Sequence, residues 1–323
     1  MPKAIRIYQT GAPDVMRWED VEVPTPEAGQ VLVRHTAIGV NFVDIYDRTG
    51  LYPAPLPSGL GREAAGVVDA VGKKVRGLKV GDRVAYTFPS PGAYAEMRVV
   101  PVDRLVKLPP SISDGQAAGM LLRGLTAWFL VRRTYALKRG DTVLLHAAAG
   151  GVGLLVSQWA RHLGARVIGV VSTPEKARLA RSHGCSQVLL TSDDWVRQVR
   201  KLTKGEGVNV VYDSVGKDTF LSSLDSLKPL GMMVTFGNAS GPVPPIAPLE
   251  LSRRGSLFLT RPTLFHYVAK REALESAARE LFQVVRRRVV KIRIGQSYPL
   301  RDAATAHADL EARRTTGSTI LLP

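Results

Sequence analysis

The chain has 323 residues, 45% of them hydrophobic and 22% charged, which suits a packed globular protein of about two domains and excludes an extended disordered chain. No run approaches the ~20 apolar residues of a membrane helix, and Met1-Pro-Lys-Ala-Ile-Arg6 lacks the apolar core of a secretory signal. The formal net charge of +16 is spread over separate pairs such as Lys73-Lys74, Arg132-Arg133, Arg253-Arg254 and Arg313-Arg314. Only residues 286–293 are densely basic, and no aromatics interleave them, so a solvated basic surface is expected ahead of a nucleic-acid site.

The first hundred residues carry short β signals at 4–8, 31–38, 65–71 and 82–86. Pro24-Thr-Pro26, Pro53-Ala-Pro55-Leu-Pro57 and Val80-Gly-Asp82 break them apart. That pattern predicts a mostly antiparallel, barrel-like domain. From about Gly124 the pattern changes to alternation. Strands are expected at 142–146, 166–171, 187–190, 208–213, 232–237 and 256–260, with helices at 152–162, 174–183, 194–203 and 218–227. Such alternation predicts an α/β fold with a doubly wound parallel sheet of the Rossmann type. Helices at 274–286 and 301–311 and a strand at 319–322 follow, and are expected to return to the first domain. The expected organisation is therefore a discontinuous catalytic domain (1–123 and 261–323) and a dinucleotide-binding domain (124–260). Cys185 is the only cysteine. It permits no internal disulfide, fits a reducing cytoplasm, and reads as a small filler between helix and strand.

The segment Asp141-Thr-Val-Leu-Leu-His-Ala-Ala-Ala-Gly-Gly-Val-Gly153 reads as an apolar strand, a small-residue turn and the start of an amphipathic helix. Gly150, Gly151 and Gly153 would let the backbone approach a ligand and let helix and strand pack closely. The helix N-terminus would then direct N–H groups and its positive dipole end at a pyrophosphate. An acidic residue about 20 positions on would select NAD. Here the next strand ends Val170-Val171-Ser172-Thr173-Pro174-Glu175-Lys176. Ser172, Thr173 and Lys176 can take a 2′-phosphate by hydrogen bonds and charge, so the expected cofactor is NADPH. The alternative is an ordinary exposed Lys176, with Glu175 approaching the ribose.

Three further stretches complete the set: Asn41-Phe-Val-Asp-Ile-Tyr-Asp-Arg-Thr-Gly-Leu-Tyr-Pro53, Pro57-Ser-Gly-Leu-Gly-Arg-Glu-Ala-Ala-Gly66 and Val211-Tyr-Asp-Ser-Val-Gly216. With Phe236-Gly-Asn-Ala-Ser-Gly241 and Leu259-Thr-Arg-Pro262, the chain resembles the medium-chain dehydrogenase/reductase superfamily along its whole length. Within it, the chain is similar to the zinc-free quinone oxidoreductases of the zeta-crystallin type, whose first domain is GroES-like. Zinc-dependent relatives carry Cys where this chain has Asn41, and a His within Gly-His-Glu where it has Gly61-Arg62-Glu63. One cysteine cannot make a four-thiolate site, and the six histidines show no ligand spacing, so no metal is expected.

The resemblance implies an NADPH-dependent reductase that passes a hydride or electrons to a small quinone. A reductase of activated enones or enals is the alternative within the same class, and single-stranded nucleic-acid binding by the basic surface is the alternative of another class. It also implies that Asn41, Tyr46, Tyr52 and Thr126 surround the nicotinamide and acceptor cleft. Asn41 and Thr126 would bond the nicotinamide ribose or carboxamide, Tyr46 would stack or donate its phenol proton, and Tyr52 would border the entrance. Gly151 and Val152 would meet the pyrophosphate. Val215, Phe236, Gly237, Asn238 and Ser240 would line strand ends, Leu259 and Thr260 would meet the carboxamide, and Ser318 would close from the C-terminus. Relatives commonly place a Tyr after the third strand of the Rossmann sheet; here Thr191 would partly substitute for it beside the 2′-phosphate. Asp44 and Arg48 read as a structural ion pair. A homodimer paired through the sixth strand is expected.

Overall fold

The computed structural model describes all residues, 1–323. It divides into two units. The first comprises Met1–Leu125, Val268–Arg286 and Ile292–Pro323. The second comprises Thr126–Tyr267 and Arg287–Lys291. The division falls inside the helix Asp114–Phe129. Residues 287–291 belong with the second unit, where the Lys291 N–H donates to Gln158 Oε1 at 2.9 Å.

The first unit is β-rich. Its larger sheet runs in the order Ile294–Pro299, Ser318–Leu322, Gln30–Val40, Glu63–Val71, Arg83–Thr87, Leu105–Lys107, with Met97–Pro101 also paired to Gln30–Val40. All its pairings are antiparallel except the one between Ile294–Pro299 and Ser318–Leu322. A small sheet joins Arg17–Asp20, Lys3–Ile7 and Ser58–Gly59. Alternation along Gln30–Val40 sends Val31, Val33 and His35 inward. The core gathers Ile5, Val33, Ile38, Tyr86, Tyr94 and Leu321, with Ala303 and Ala306 of the helix Ala303–Glu311 packed into it.

The second unit is a six-stranded, wholly parallel sheet. Its order is Gln187–Leu190, Arg166–Val171, Thr142–His146, Val208–Asp213, Leu227–Thr235, Phe258–Thr260. Numbered along the chain that is 3-2-1-4-5-6, the doubly wound Rossmann order. The strand Thr142–His146 lies between two neighbours, and its Val143–His146 run is fully buried, as an internal parallel strand requires. Leu144, Val170, Val211, Leu224 and Met233 form one packed cluster. Each such aliphatic side chain contributes about 1.5–3 kcal/mol by leaving water.

Three elements escape the sequence pattern. The helix Phe42–Thr49 is short and carries charged residues that are themselves buried. The helix Asp114–Phe129 contains Gly115, Gly119 and Gly124, poor helix formers in isolation. Packing explains Gly124: a Cβ there would stand 2.6 Å from the Leu281 side chain. The strand Ile294–Pro299 lacks an alternating apolar face and is mostly exposed.

Candidate active site

In the second unit, the site begins where Thr142–His146 meets the helix Gly151–His162. Ala147 takes a φ of +50°, and the Gly150 N–H closes the turn onto Ala147 O at 2.9 Å. Gly150 is the N-cap, and no side chain caps the helix. The first-turn N–H groups of Gly151 and Val152 are thus left for an anion. Gly153 is obligatory, because a Cβ would lie 2.4 Å from Ala147 O and 2.8 Å from Ala148 Cα. Gly169 serves the same close packing from the next strand, where a Cβ would meet Ala148 Cβ at 2.8 Å.

At the end of Arg166–Val171, Thr173 N-caps the helix Pro174–Ser182, its Oγ1 accepting from the Lys176 N–H at 3.3 Å. Lys176 Nζ reaches back to Ser172 Oγ at 3.4 Å. Glu175 is exposed and pairs with Arg178 at 3.3 Å. Hydrogen bonds from its own helix N-terminus and from Thr173, with Arg178 nearby, hold its carboxyl below the usual range. This strand end therefore presents an ammonium–hydroxyl pair, with the Glu175 carboxylate engaged by Arg178. Thr191 is exposed, and its N–H donates to Val171 O at 2.9 Å.

The far strand ends are fixed by Asp213, which is fully buried. Its Oδ1 accepts from the N–H groups of Val215 (2.7 Å) and Gly216 (3.1 Å), and its Oδ2 accepts from Thr219 Oγ1 (2.7 Å) and Ser223 Oγ (3.2 Å). His146 Nε2 lies 2.9 Å from Ser223 Oγ, and burial pushes its imidazole pKa down. Ser240 Oγ donates to Val215 O at 2.9 Å, and Phe236 N–H donates to Asp213 O at 2.7 Å. Gly237 admits no Cβ, since Ser214 O would stand 2.4 Å away. With the Asn238 amide turned to satisfy both neighbours, its nitrogen donates to Gly237 O and its oxygen accepts from Arg261. Arg261 also donates to Thr235 O at 3.2 Å. Val215, Phe236, Gly237, Asn238 and Ser240 are thus gathered beyond the carboxyl ends of the neighbouring strands Val208–Asp213 and Leu227–Thr235. Leu259 and Thr260 lie on the adjacent strand Phe258–Thr260. Thr126 is buried within the helix Asp114–Phe129.

In the first unit, Asn41, Tyr46 and Tyr52 come together around the helix Phe42–Thr49. Asn41 is its N-cap. Tyr46 is buried one turn on and packs edge-to-face on Tyr52 at 5.2 Å, while the Tyr52 N–H donates to Tyr46 O at 3.1 Å. Ser318 is buried, with its hydroxyl donating to Gly119 O at 2.6 Å and its amide to Arg293 O at 2.8 Å. Its hydroxyl proton and amide are thus committed, and the hydroxyl oxygen can act only as an acceptor.

The expected Asp44–Arg48 ion pair does not form. Arg48 instead bonds Glu311 (2.6 Å) and Gly11 O (3.1 Å). Asp44 Oδ2 accepts from the Asn41 N–H (2.7 Å) and Tyr94 OH (3.0 Å), and Oδ1 has no hydrogen-bond partner. Four residues apart on a helix makes such a pair plausible from sequence, but burial sends both side chains to tertiary partners. Burial pushes the Asp44 carboxyl up to about 7. The chain continues from Tyr94 OH to His307 Nε2 at 2.9 Å, and burial pushes His307 down to about 3.

Sequence reasoning missed Glu63, Arg123, Asp213 and Arg261 as parts of the site. Three of them are charged residues in an apolar or small-residue setting (Glu63-Ala-Ala-Gly66, Leu121-Leu-Arg123, Val211-Tyr-Asp213), whereas Arg261 is exposed and its sequence carries no such mark. That mismatch was the available signal.

The fold and the glycine turn define a dinucleotide-dependent enzyme of the medium-chain dehydrogenase/reductase type. Residues 27–110 match the family model described as "Alcohol dehydrogenase GroES-like domain", and residues 151–283 match "Zinc-binding dehydrogenase". A curated quinone oxidoreductase of Pseudomonas aeruginosa is 52% identical, covering 100% of both chains. A 2-haloacrylate reductase of Burkholderia is 46% identical over 100% of this chain and 99% of its own length. The solved structure of Escherichia coli quinone oxidoreductase complexed with NADPH superposes with a TM-score of 0.98 at 45% identity, covering 99% of this chain and 100% of that one. The chain belongs to the quinone oxidoreductase family of that superfamily.

The zinc named by the second family model does not fit these residues. Arg62 is locked bidentate on Asp47, with Nη2–Oδ1 at 2.6 Å and Nε–Oδ2 at 2.7 Å. Asn41 is an amide, and no three His, Cys, Asp or Glu side chains gather as a ligand set. Cys185 is buried against Ser157 Oγ at 3.2 Å in the second unit, its thiol pushed up to about 11, which makes it an unreactive filler.

Proposed function

We propose that this chain reduces small quinones with NADPH, without a metal ion. The observation that carries the reading is the uncapped helix start at Gly150–Val152, followed at the next strand end by Ser172, Thr173 and Lys176 in place of a carboxylate. NADPH, when bound, supplies the hydride. The N–H groups of Gly151 and Val152 bind its pyrophosphate, with Gly150 leaving the approach open. Ser172, Thr173 and Lys176 bind the 2′-phosphate, with Thr191 beside them. Val215, Phe236, Gly237, Asn238 and Ser240 line the nicotinamide half, and Leu259 and Thr260 offer backbone groups to the carboxamide. Asn41 and Thr126 hold the nicotinamide ribose or carboxamide, with Ser318 contributing hydroxyl lone pairs. Tyr46, braced by Tyr52, presents a phenol to the reduced oxygen, where a donor stabilises developing charge. Similarity to the 2-haloacrylate reductase supports a second reading, reduction of an activated alkene by the same hydride.

Turnover with NADPH and NADH across a panel of quinones and activated alkenes tests both readings. Quinones should lead, with NADPH preferred, and Lys176→Ala should cut that preference about tenfold through loss of one charge-assisted contact. Equal use of NADH by the unaltered chain would remove the 2′-phosphate assignment. A homodimer accompanies the reading, because the edge strand Phe258–Thr260 exposes Phe258 (56%) and Leu259 (38%). A monomer by size-exclusion chromatography would remove that part.

A further inference from the structure

Glu63 is fully buried, and the fold is shaped to keep a carboxylate there. Its Oε2 accepts from the Leu122 N–H at 2.7 Å, and its Oε1 accepts from Arg123 at 3.3 Å and from Asn41 Nδ2 at 2.8 Å. Arg123 is buried as well and also donates to Val40 O. The strand opposite makes room with Gly39, where a Cβ would stand 2.3 Å from both Glu63 Oε1 and Ala118 O. Desolvation pushes the Glu63 carboxyl up, while Arg123, Asn41 and the Leu122 N–H each favour the ionised form. Three donors converge on it and no acceptor awaits a carboxyl proton, so it is ionised.

A buried ion pair adds little net stability, since desolvation offsets most of the attraction. What this one does locally is orient an amide. A carboxylate only accepts, so Asn41 must turn its nitrogen inward. The backbone that carries the amide is fixed independently, because the Asp44 side chain accepts from the Asn41 N–H at 2.7 Å and the Asp44 N–H donates to the Asn41 backbone carbonyl at 3.0 Å. With its nitrogen inward, the amide has its oxygen as an acceptor at the other end.

We propose that Glu63 is a positioning residue that fixes the Asn41 amide with its nitrogen inward, so that Asn41 offers the ligand an acceptor. Asn41 then takes a donor, a hydroxyl or N–H of the cofactor's nicotinamide half, and does not serve the oxygen of the quinone. This rests on the NADPH reading above.

The test exchanges the two groups. Asn41→Asp sets two carboxylates face to face, and Glu63→Gln sets two amide nitrogens face to face or turns Asn41 around. Each single variant should weaken NADPH binding by about 10–100-fold, the cost of one unsatisfied buried polar contact. The double variant N41D/E63Q restores the charge, the volume and an outward acceptor, and should bind within about fivefold of the unaltered chain. Binding is read by titration of NADPH fluorescence, with Tm recorded beside it. A double variant that binds as weakly as the singles overturns the assignment, because a donor at Asn41 would then have been needed. A double variant that does not fold overturns it too, as do single variants that lose Tm yet keep their affinity. If the singles do not fold, the folded double variant decides alone. An unaltered chain that fails to bind NADPH overturns the reading underneath and the role of Glu63 with it.

Discussion

In the parallel-sheet unit, the groups proposed for the pyrophosphate are backbone. Glycine and alanine bring the chain of residues 147–153 within contact of itself, and the helix start is left uncapped. In the β-rich unit, the groups proposed for the nicotinamide half lie among side chains held by buried charge: Asn41 by Glu63, itself paired with Arg123, the helix Phe42–Thr49 by Asp44, and Arg62 by Asp47. Backbone amides suit a pyrophosphate, whose charge tolerates several N–H donors. A nicotinamide and a neutral acceptor need a particular donor or acceptor at a particular point, and side chains provide that only when their rotation is fixed. The first kind of site is broken by adding atoms, the second by removing charge.

The largest effect should come from unpairing a buried ion. Arg123→Met leaves Glu63 ionised in the core, with an expected loss of roughly 3–5 kcal/mol in urea unfolding. A loss under about 1 kcal/mol would show that the pair is already solvated. Gly153→Ala should come next. Its Cβ forces the turn away from Ala147 O, and NADPH affinity should fall by roughly 100-fold, in line with an overpacking cost of up to about 3 kcal/mol. Far-UV circular dichroism should stay unchanged, since the strand and helix cores are untouched. Near-normal affinity would mean that the backbone is not what holds the pyrophosphate.

The third effect is one of pH, spread gradually over several units. Asp44 has its carboxyl raised from 3.8 to about 7. The native chain therefore holds a proton that the unfolded chain releases over that window. Stability from this group is greatest below the unfolded value and falls as pH rises towards 7. Urea unfolding from pH 4 to 7 should show the unaltered chain losing ground steadily to Asp44→Asn. A pH-independent gap between the two would assign the Asp44 effect to packing alone.

The parallel-sheet unit was largely legible in the sequence, because alternating strands and helices mark themselves by period and the glycine turn by composition. Five of its six strands begin and end within about two residues of the expected positions. The strand Leu227–Thr235 starts earlier than the expected 232, because Pro229 and an exposed Leu230 interrupt its apolar pattern. The β-rich unit was legible as a class but not in detail. The helix Phe42–Thr49 buries Asp44, Asp47 and Arg48, so its inward face carries charge where a periodicity search looks for apolar residues. For the same reason the Asp44–Arg48 pair was read from spacing, while the real partners, Tyr94 and Glu311, lie 50 and 263 residues away. Glu63 and Arg123 are 60 residues apart, and only the fold brings them to Asn41.

The Arg62–Asp47 clamp would make a metal site hard to build here one substitution at a time. A histidine at position 62 would leave Asp47, only 3% exposed, without its cation. A cysteine at position 41 would take from Glu63 the amide it faces. Each single step towards a metal ligand is harmful before it is useful, so the buried charges around this helix act as a ratchet against metal binding.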